Sequence, residues 1–260
     1  MKKFLLSLFA SVFIFQISFA QYGGGRLHLY DLRFGVHASP TWSWFGTDKN
    51  YMSNVGSILG IKLGLIAENR FTENYSIVSG FNVLLSGGGK LRINAPNKWW
   101  VNSNAEFTPP LTGAEVFQSQ SLYKYNLSWF EIPIGLKLRT LETGDHIRYF
   151  AEPNLSVAFR YDTNGSTTGL GFGGKYDQDN INLKNEAGGL YYSFGFGIGG
   201  EYIVANNTAF SVGLYYQKGL NDITSDKSST IYDASGANPT SNSDSRVTMS
   251  TLSLRLAVMF

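Results

Sequence analysis

Residues 248–260 alternate between two unlike rows of side chains, with a period of two. The apolar row consists of Leu252, Leu254, Leu256, Val258 and Phe260, and the small or polar row of Thr251, Ser253, Arg255, Ala257 and Met259. A period of two is that of a β-strand, whose side chains point alternately to two faces. A strand of about 9–11 residues with one apolar row and an aromatic residue at its boundary is typical of a transmembrane β-barrel. The pattern therefore predicts that other strands repeat it and close into a ring.

Seven further segments carry the same alternation. We predict strands at residues 31–39, 57–67, 75–85, 123–139, 148–161, 189–203, 209–218 and 248–260. The connections after the second, fourth and sixth strands are short, and the other connections are long. Bacterial outer-membrane barrels have an even strand number, short periplasmic turns and long external loops. The predicted fold class is therefore all-β, an eight-stranded antiparallel transmembrane β-barrel with short periplasmic turns and long extracellular loops.

The fourth predicted strand changes the parity of its apolar row. Tyr123, Tyr125, Leu127 and Trp129 are apolar at odd positions, whereas the part that follows is apolar at the even positions from 130 to 138. We interpret this change as a β-bulge or as an extension of the strand above the membrane.

The N-terminal segment has the pattern of a secretory signal peptide. Lys2 and Lys3 precede an apolar run that ends at the small-x-small cleavage site Ser18-Phe19-Ala20. An uncleaved membrane anchor would need about 20 apolar residues, more than this run supplies. We therefore expect a signal peptide at residues 1–20, a flexible lead-in at 21–30 and a barrel domain at 31–260.

The alternation does not say which row faces the barrel interior. A soluble eight-stranded barrel of the lipocalin kind would place its apolar row inside. The export signal, the aromatic Phe260 and the charges on the mixed row favour apolar residues that face outer-membrane lipid instead. The predicted location is the cell outer membrane, and Phe260 is the expected C-terminal signature for contact with the barrel-assembly machinery.

The composition excludes several function classes. The chain has no cysteine, so disulfides, zinc–thiolate sites and thiol nucleophiles are excluded. Its formal net charge of +2 points to no nucleic acid or other polyanionic partner. We expect no cofactor and no metal site. The aspartates of the long loops could hold calcium, but they lack a fixed ligand spacing.

Three stretches resemble a known family. Trp129-Phe-Glu-Ile-Pro-Ile-Gly-Leu-Lys137 resembles the "L-E-I-P-hydrophobic-hydrophobic-x-K" strand of the small Bacteroidetes outer-membrane barrels called PorT-like. The Gly-rich residues 195–203 and the "Y-x-x-G-L-x-D/N" ending of residues 210–222 resemble the two strands that follow in that family. The resemblance implies a barrel without an active site, and one branch of the family is needed for type IX protein secretion and gliding.

The mixed row carries charges that the barrel would enclose. They are Arg33, Lys62, Glu131, Lys137, Arg139, Glu152, Arg160, Glu201 and Arg255, with His37 on the same row. An eight-stranded barrel is only wide enough for side chains to fill it, and isolated buried charges are very costly. We therefore predict a packed ion-pair network that plugs the lumen. A narrow cationic channel or a ligand pocket is the alternative.

Two further groups of residues are candidates for contact or chemistry. Trp99 and Trp100 stand in tandem inside a long loop and are the predicted contact for a partner protein, because Trp is favoured in binding hot spots. The other aromatic residues near the outer strand ends are expected to form a girdle at the lipid headgroups. His37 and Ser39 share a row, as a hydrolase would need, but no acid can be assigned to them.

These observations favour a non-enzymatic accessory or structural subunit of a larger outer-membrane complex, for example in protein secretion or surface assembly. A small passive pore or ligand-binding barrel is the alternative function. A lipid-modifying outer-membrane enzyme is the third.

Overall fold

The computed structural model describes residues 32–107, 116–144, 146–171, 174–204, 208–227, 229–242 and 245–260. The predicted signal peptide at 1–20 and lead-in at 21–30 lie outside these residues. The part of the chain that is described is almost entirely β-strand, with one short 3-10 helix at Val101–Glu106. None of its helices is long and apolar enough to span a membrane.

Eight long strands form the wall of the molecule. They are β1 (Leu32–Thr47), β3 (Ile58–Arg70), β4 (Tyr75–Ile93), β6 (Ser121–Arg139), β7 (Ile147–Gly171), β9 (Leu190–Ile203), β10 (Ala209–Gly219) and β13 (Val247–Met259). Five short strands belong to the long connections: β2 (Met52–Asn54), β5 (Asn97–Lys98), β8 (Gly174–Asn182), β11 (Thr230–Tyr232) and β12 (Pro239–Asn242).

The long strands pair with their neighbours into a closed antiparallel ring. The order β4-β3-β1-β13-β10-β9-β7-β6 is closed by the pairing of β6 with β4. Beside the β1–β13 ladder, the Phe34 and Phe260 backbones exchange two hydrogen bonds, of 3.0 and 2.8 Å. The eight-stranded barrel predicted from the alternation is confirmed.

The apolar row of each strand faces outward. In β10, Phe210, Val212, Leu214 and Tyr216 are 41–52% exposed, whereas the residues between them are buried. Comparable apolar side chains are exposed on every other strand of the ring. An exposed apolar band of this extent is unfavourable in water, whereas the lipid-facing surface of a transmembrane barrel has such a band. The band therefore matches the hydrocarbon layer of a membrane.

Several strands run well beyond their predicted ends. β1 continues through Pro40 to Thr47, although the sequence analysis placed a loop from residue 40 onward. Pro40 is tolerated because its missing N–H interrupts only one ladder. The pairing with β13 skips Ser39 and Pro40, while Pro40 still lies opposite Ile61 of β3.

The parity change in the fourth predicted strand arises because the barrel interior becomes apolar above the membrane. β6 keeps its odd-numbered residues inward over its whole length, so a bulge within β6 is wrong and the extension above the membrane is right. The extra residues lie in β4, between Leu84 and Gly87, and in β7, between Arg160 and Asp162. Each bulge shifts the inward row by one position, which is why the alternation of β4 and β7 was lost in the sequence beyond these points.

The outward orientation of Leu214 can be tested by placing a charge at the middle of β10. We expect Leu214→Arg to lower the free energy of unfolding in lipid vesicles by about 2–4 kcal/mol, because an arginine there must enter the bilayer core. The measurement is urea-dependent unfolding followed by tryptophan fluorescence. Leu220→Arg, six residues on and beyond the end of β10, is the matched control and should cost about 0–1 kcal/mol. Equal costs at both positions would contradict the lipid-facing assignment.

Candidate functional site

The interior of the barrel is filled at two levels. The level nearer the short turns holds ionised and amide side chains, and the level nearer the long connections holds aromatic and aliphatic ones. We call the six charged residues at the short-turn end the ion cluster: Arg33, Glu68, Arg70, Lys137, Arg139 and Glu201. We call the apolar group at the other end the aromatic plug: Phe45, Leu84, Trp99, Trp100, Tyr123, Tyr125, Leu127 and Trp129, with their buried neighbours.

Arg139 is the centre of the ion cluster. Its Nε lies 2.8 Å from Oε2 of Glu201, its Nη1 donates to the Ser76 hydroxyl at 2.8 Å, and its Nη2 pairs with Glu68. Lys137 also pairs with Glu201 and lies 3.8 Å from Glu68. These side chains are at most 6% exposed. Burial is tolerated for them only because each carboxylate faces several cations.

The sequence analysis missed Glu68, which is completely buried and takes part in four of the ion pairs. It assigned this residue to a turn, but β3 continues to Arg70. The missed signal was one of parity, because Glu68 and Arg70 continue the inward row of Lys62, Gly64 and Ile66.

A second polar group lies midway along the barrel. Lys62 donates to Glu131 at 2.8 Å and to Gln217 at 2.7 Å. Asn82 donates to Glu131 at 3.2 Å and lies 2.8 Å from Nε2 of His37. The three strands β1, β3 and β4 meet here, and the middle one contributes only Gly64 between His37 and Asn82. A side chain at Gly64 would occupy the space in which these two residues meet.

A third contact also crosses a glycine of the middle strand, on the opposite wall of the barrel. The Tyr215 hydroxyl donates to Glu152 at 2.9 Å across Gly197, which lies between them on β9. The Arg255 guanidinium lies 3.7 Å from the centre of the Tyr215 ring and 3.4 Å from Glu152. The glycines of the inward rows thus allow long side chains to reach across a strand.

The His37 imidazole has the connections of a catalytic base but no accessible nucleophile. Its Nδ1 lies 2.9 Å from the Ser39 hydroxyl, and its other nitrogen faces the Asn82 amide oxygen. In a serine hydrolase a carboxylate orients the imidazole, whereas here an amide oxygen takes that place. Ser39 is 1% exposed and His37 is 6% exposed, between the two filled levels of the lumen. In this structure His37 links Ser39 to Asn82 within the polar network.

The aromatic plug contains the two tryptophans that were predicted to bind a partner. Trp99 and Trp100 are each 1% exposed, so that prediction is wrong for this conformation. Trp99 donates from its indole nitrogen to the Tyr125 hydroxyl at 2.8 Å, and Trp100 packs edge-on against Tyr123 and Tyr125 at 5.0 and 5.2 Å. The loop folds back over the barrel mouth because burying two indoles is more favourable than exposing them.

The expected aromatic girdle is only partly present. Trp42 and Trp44 do face outward, and Trp44 stacks on Tyr216 at 6.2 Å. Tyr123, Tyr125 and Trp129 face inward and are fully buried in the plug, so the girdle assignment is wrong for them. The extension of β6 carries these three inward residues above the bilayer, where an apolar interior replaces the polar one.

Arg160 is the one predicted lumen charge that the structure does not bring into the network. Its guanidinium binds the backbone carbonyl oxygens of Lys184, at 2.8 Å, and Ala187. The β7 bulge begins next to Arg160 and turns it from the inward row toward the connection between β8 and β9. Arg160 therefore fastens that connection to the barrel wall.

The long connections contain a buried acidic residue, Glu186, whose Oε2 accepts from Asn102 at 3.3 Å. Burial raises the pKa of the Glu186 carboxyl above its ordinary value, and the nearby Asp226 carboxylate adds to the rise. Among the residues that the structure describes, no group of three or more potential ligands could hold a metal ion.

One family model and several solved structures are similar to this chain. A family model described as "Outer membrane protein beta-barrel domain" matches residues 19–225. Among solved structures, Neisserial surface protein A has a TM-score of 0.38 and 14% identity, over 87% of this chain and 97% of that one. A major outer membrane protein of Thermus thermophilus has a TM-score of 0.41 and 13% identity, over 88% of this chain and 98% of that one. Ail of Yersinia pestis has a TM-score of 0.35 and 11% identity, over 88% of this chain and 99% of that one. No curated protein matches the sequence.

The ion cluster can be tested by removing one carboxylate. We expect Glu201→Gln to lower the free energy of unfolding by about 3–5 kcal/mol, because Lys137 and Arg139 then remain buried with one carboxylate between them. Glu142→Gln, in an exposed turn where Glu142 pairs with His146 and Arg148, should cost about 0–1 kcal/mol. Both values come from urea unfolding in lipid vesicles, and a cost below about 1 kcal/mol for Glu201→Gln would contradict the buried cluster.

Proposed function

Because the chain belongs to the outer membrane protein beta-barrel domain family, we propose that it is a closed, non-enzymatic barrel that serves as an accessory or structural subunit of a larger outer-membrane complex. The observation that carries this proposal is the filling of the lumen at two levels, which leaves the outer surface as the working part of the molecule. Outer-membrane lipid surrounds the barrel wall, and the partner is a protein that docks on the outer ends of the strands.

The ion cluster supports a sealed lumen at the short-turn end. Glu68, Arg139 and Glu201 are at most 1% exposed, and they connect β3, β6 and β9 across the barrel. An ion passing this level would have to break several buried, charge-assisted hydrogen bonds at once. The polar interior is therefore better suited to holding the wall together than to conducting.

The aromatic plug supports the same conclusion at the other end. Tyr125 and Trp129 are each 1% exposed, and Trp129 packs on Tyr191 with ring centres 5.6 Å apart. Phe45 closes the plug against Tyr125 from β1, at 5.6 Å. A hydrophobic constriction that is filled with rings offers neither a pore nor a ligand cavity.

A free strand edge supports docking of a protein. β12 pairs with β11 alone among the described residues, and all four of its residues are exposed. The exposed edge of a sheet presents unpaired N–H and C=O groups on which another chain can add a strand. The small sheet β12-β11-β5 is therefore the surface on which we place the partner.

The resemblance to PorT-like barrels supports a proposal for the kind of complex. The stretch from Trp129 to Lys137, which carries that resemblance, is the part of β6 that connects the aromatic plug to the ion cluster. In this proposal the partner belongs to a secretion or surface-assembly machine, such as that of type IX secretion in the Bacteroidetes.

The docking edge can be tested by purification from the native membrane in mild detergent. Successive N–H groups of a strand point to opposite sides, so either Thr240→Pro or Ser241→Pro removes an outward N–H from β12. We expect the wild-type barrel to purify with a stoichiometric protein partner and one of the two proline variants to lose it. Thr240→Ala and Ser241→Ala keep both N–H groups and should retain the partner.

The proposal has two results that would overturn it. One is recovery of the wild-type barrel alone at every detergent strength. The other is undiminished partner recovery by both proline variants, provided that they show the gel mobility of a folded barrel before and after heating.

The sealed lumen makes a separate prediction for planar-bilayer recordings. We expect no unitary conductance from the wild-type barrel, because each level of filling is sufficient to block an eight-stranded lumen. Trp129→Ala opens the upper level alone and should also remain silent. A stable open state of the wild-type protein would favour the pore alternative instead.

A further inference from the structure

Three basic residues lie together on the outer surface of the barrel, above the membrane. Lys90 of β4 lies directly opposite Lys124 of β6, and Arg92 lies opposite Leu122, two residues from Lys124. Directly opposite side chains on one face of an antiparallel pair have Cβ atoms about 5 Å apart, and diagonal ones about 7–8 Å. The three charges therefore lie within one side-chain length of each other.

These side chains face away from the interior. Leu91, Tyr123 and Tyr125, which alternate with them in sequence, are buried in the aromatic plug. Lys90, Arg92 and Lys124 are half-buried, so their aliphatic stems are partly covered while the charged ends reach the surface. We call this group the basic patch.

The basic patch has no counterion among the described residues. Its three side chains take part in neither an ion pair nor a hydrogen bond with any of them. By register, the acids of the same wall are Asp162, opposite Ser128, Asp177, opposite Thr168, and Asp179, which follows Gln178 in the β8 bulge beside Ser166. From strand spacing, the nearest of them lies about 10 Å from Lys124, a separation at which exposed charges are strongly screened. Two lysines that face each other destabilise a strand pair, and an anion between them removes that repulsion.

The height of the patch decides which anion can reach it. Phe130 marks the upper end of the apolar band on β6, where it stacks on Tyr161 at 4.4 Å. Lys124 is six residues farther along the strand, about 20 Å at the usual rise, or about 14 Å along the membrane normal for a strand tilted by roughly 45°. The headgroup layer of a phospholipid extends only about 6 Å beyond the hydrocarbon. The patch therefore lies in the layer of sugars that covers the outer leaflet.

We propose that Lys90, Arg92 and Lys124 bind the phosphate groups on the sugar core of a lipopolysaccharide-type glycolipid. Arg92 donates a fork of N–H groups suited to phosphate, and the two lysines supply point charges on the same side. Ser53, which lies opposite Arg92 on β2, and Ser166, which lies opposite Lys124 on β7, add hydroxyls at the two borders. The barrel would thus carry a fixed glycolipid on the β4–β6 wall, independently of any protein on β12.

The test uses the mature barrel refolded in detergent without glycolipid, then titrated with a rough-type lipopolysaccharide whose core is phosphorylated. Bound glycolipid is counted by native mass spectrometry. The variant Lys90→Gln/Arg92→Gln/Lys124→Gln removes the patch. Each basic residue strengthens binding to an anionic lipid surface by roughly fivefold, so we expect about 100-fold weaker binding. The control Lys184→Gln/Lys218→Gln/Lys227→Gln removes the same charge from exposed lysines elsewhere and should bind as the wild type does.

Three further ligands identify the chemistry. The same glycolipid after removal of its phosphates should bind the wild type about as weakly as the intact lipid binds the patch variant. Phosphatidylglycerol should bind weakly and without difference between the wild type and the patch variant. Inorganic phosphate alone should neither bind measurably nor displace the glycolipid at millimolar concentration.

Each opposite result would overturn the proposal. Undiminished binding by the patch variant would place the glycolipid elsewhere, and undiminished binding of the dephosphorylated lipid would exclude phosphate as the recognised group. Patch-dependent binding of phosphatidylglycerol or of inorganic phosphate would show that the sugar core is not the ligand. Heat-dependent gel mobility verifies that both triple variants are folded.

Discussion

The structure depends on the need to pair every backbone polar group inside a membrane that offers no water. A single open sheet edge in the hydrocarbon would leave several unpaired N–H and C=O groups, each at a cost of several kcal/mol. The ring avoids this cost because its first and last strands pair with each other, from the ladder of β1 and β13 to the two bonds between Phe34 and Phe260. The ring closes with eight strands, and this small number leaves an interior only wide enough for side chains.

The narrow interior explains why the lumen is filled with charged side chains at one end and aromatic side chains at the other. Within the membrane, the inward row carries charges such as Arg139 and Glu201, which must be paired because they are cut off from water. Above the membrane, the same wall carries Tyr125 and Trp129, which exclude water without needing counterions. Gly64 and Gly197 make the polar level possible, since their missing side chains let partners two strands apart meet. The side chains of the two levels together fill the lumen.

The outer surface is divided in the same way by height. The apolar side chains of β10 match the hydrocarbon, the outward tryptophans of β1 match its boundary, and the basic patch lies in the sugar layer. This vertical order follows from strands that extend far past the bilayer, such as the 25-residue β7. A barrel whose strands stopped at the membrane would have neither the plug nor the patch.

The sequence alone was sufficient to predict the strands of the barrel wall, because alternation with a period of two is a local property of each strand. It identified which row faces lipid and most of the charges that face inward. It missed Glu68, because the strand was predicted to end before this residue and Glu68 was assigned to a turn. It also placed Trp99 and Trp100 on the surface, because a loop carries no periodicity that reveals where it packs.

Only the tertiary structure decided which inward residues meet. Arg139 and Glu201 are 62 residues apart in the chain, and their contact depends on the register of every strand between them. One extra residue in β4 and one in β7 change the inward row above the membrane, and the sequence shows only that the alternation stops there, not that the strand continues. Thus the period of each strand determined the two faces of the barrel, while closure, register and bulges determined the contacts inside it, because those contacts join residues that are neighbours only in the folded ring.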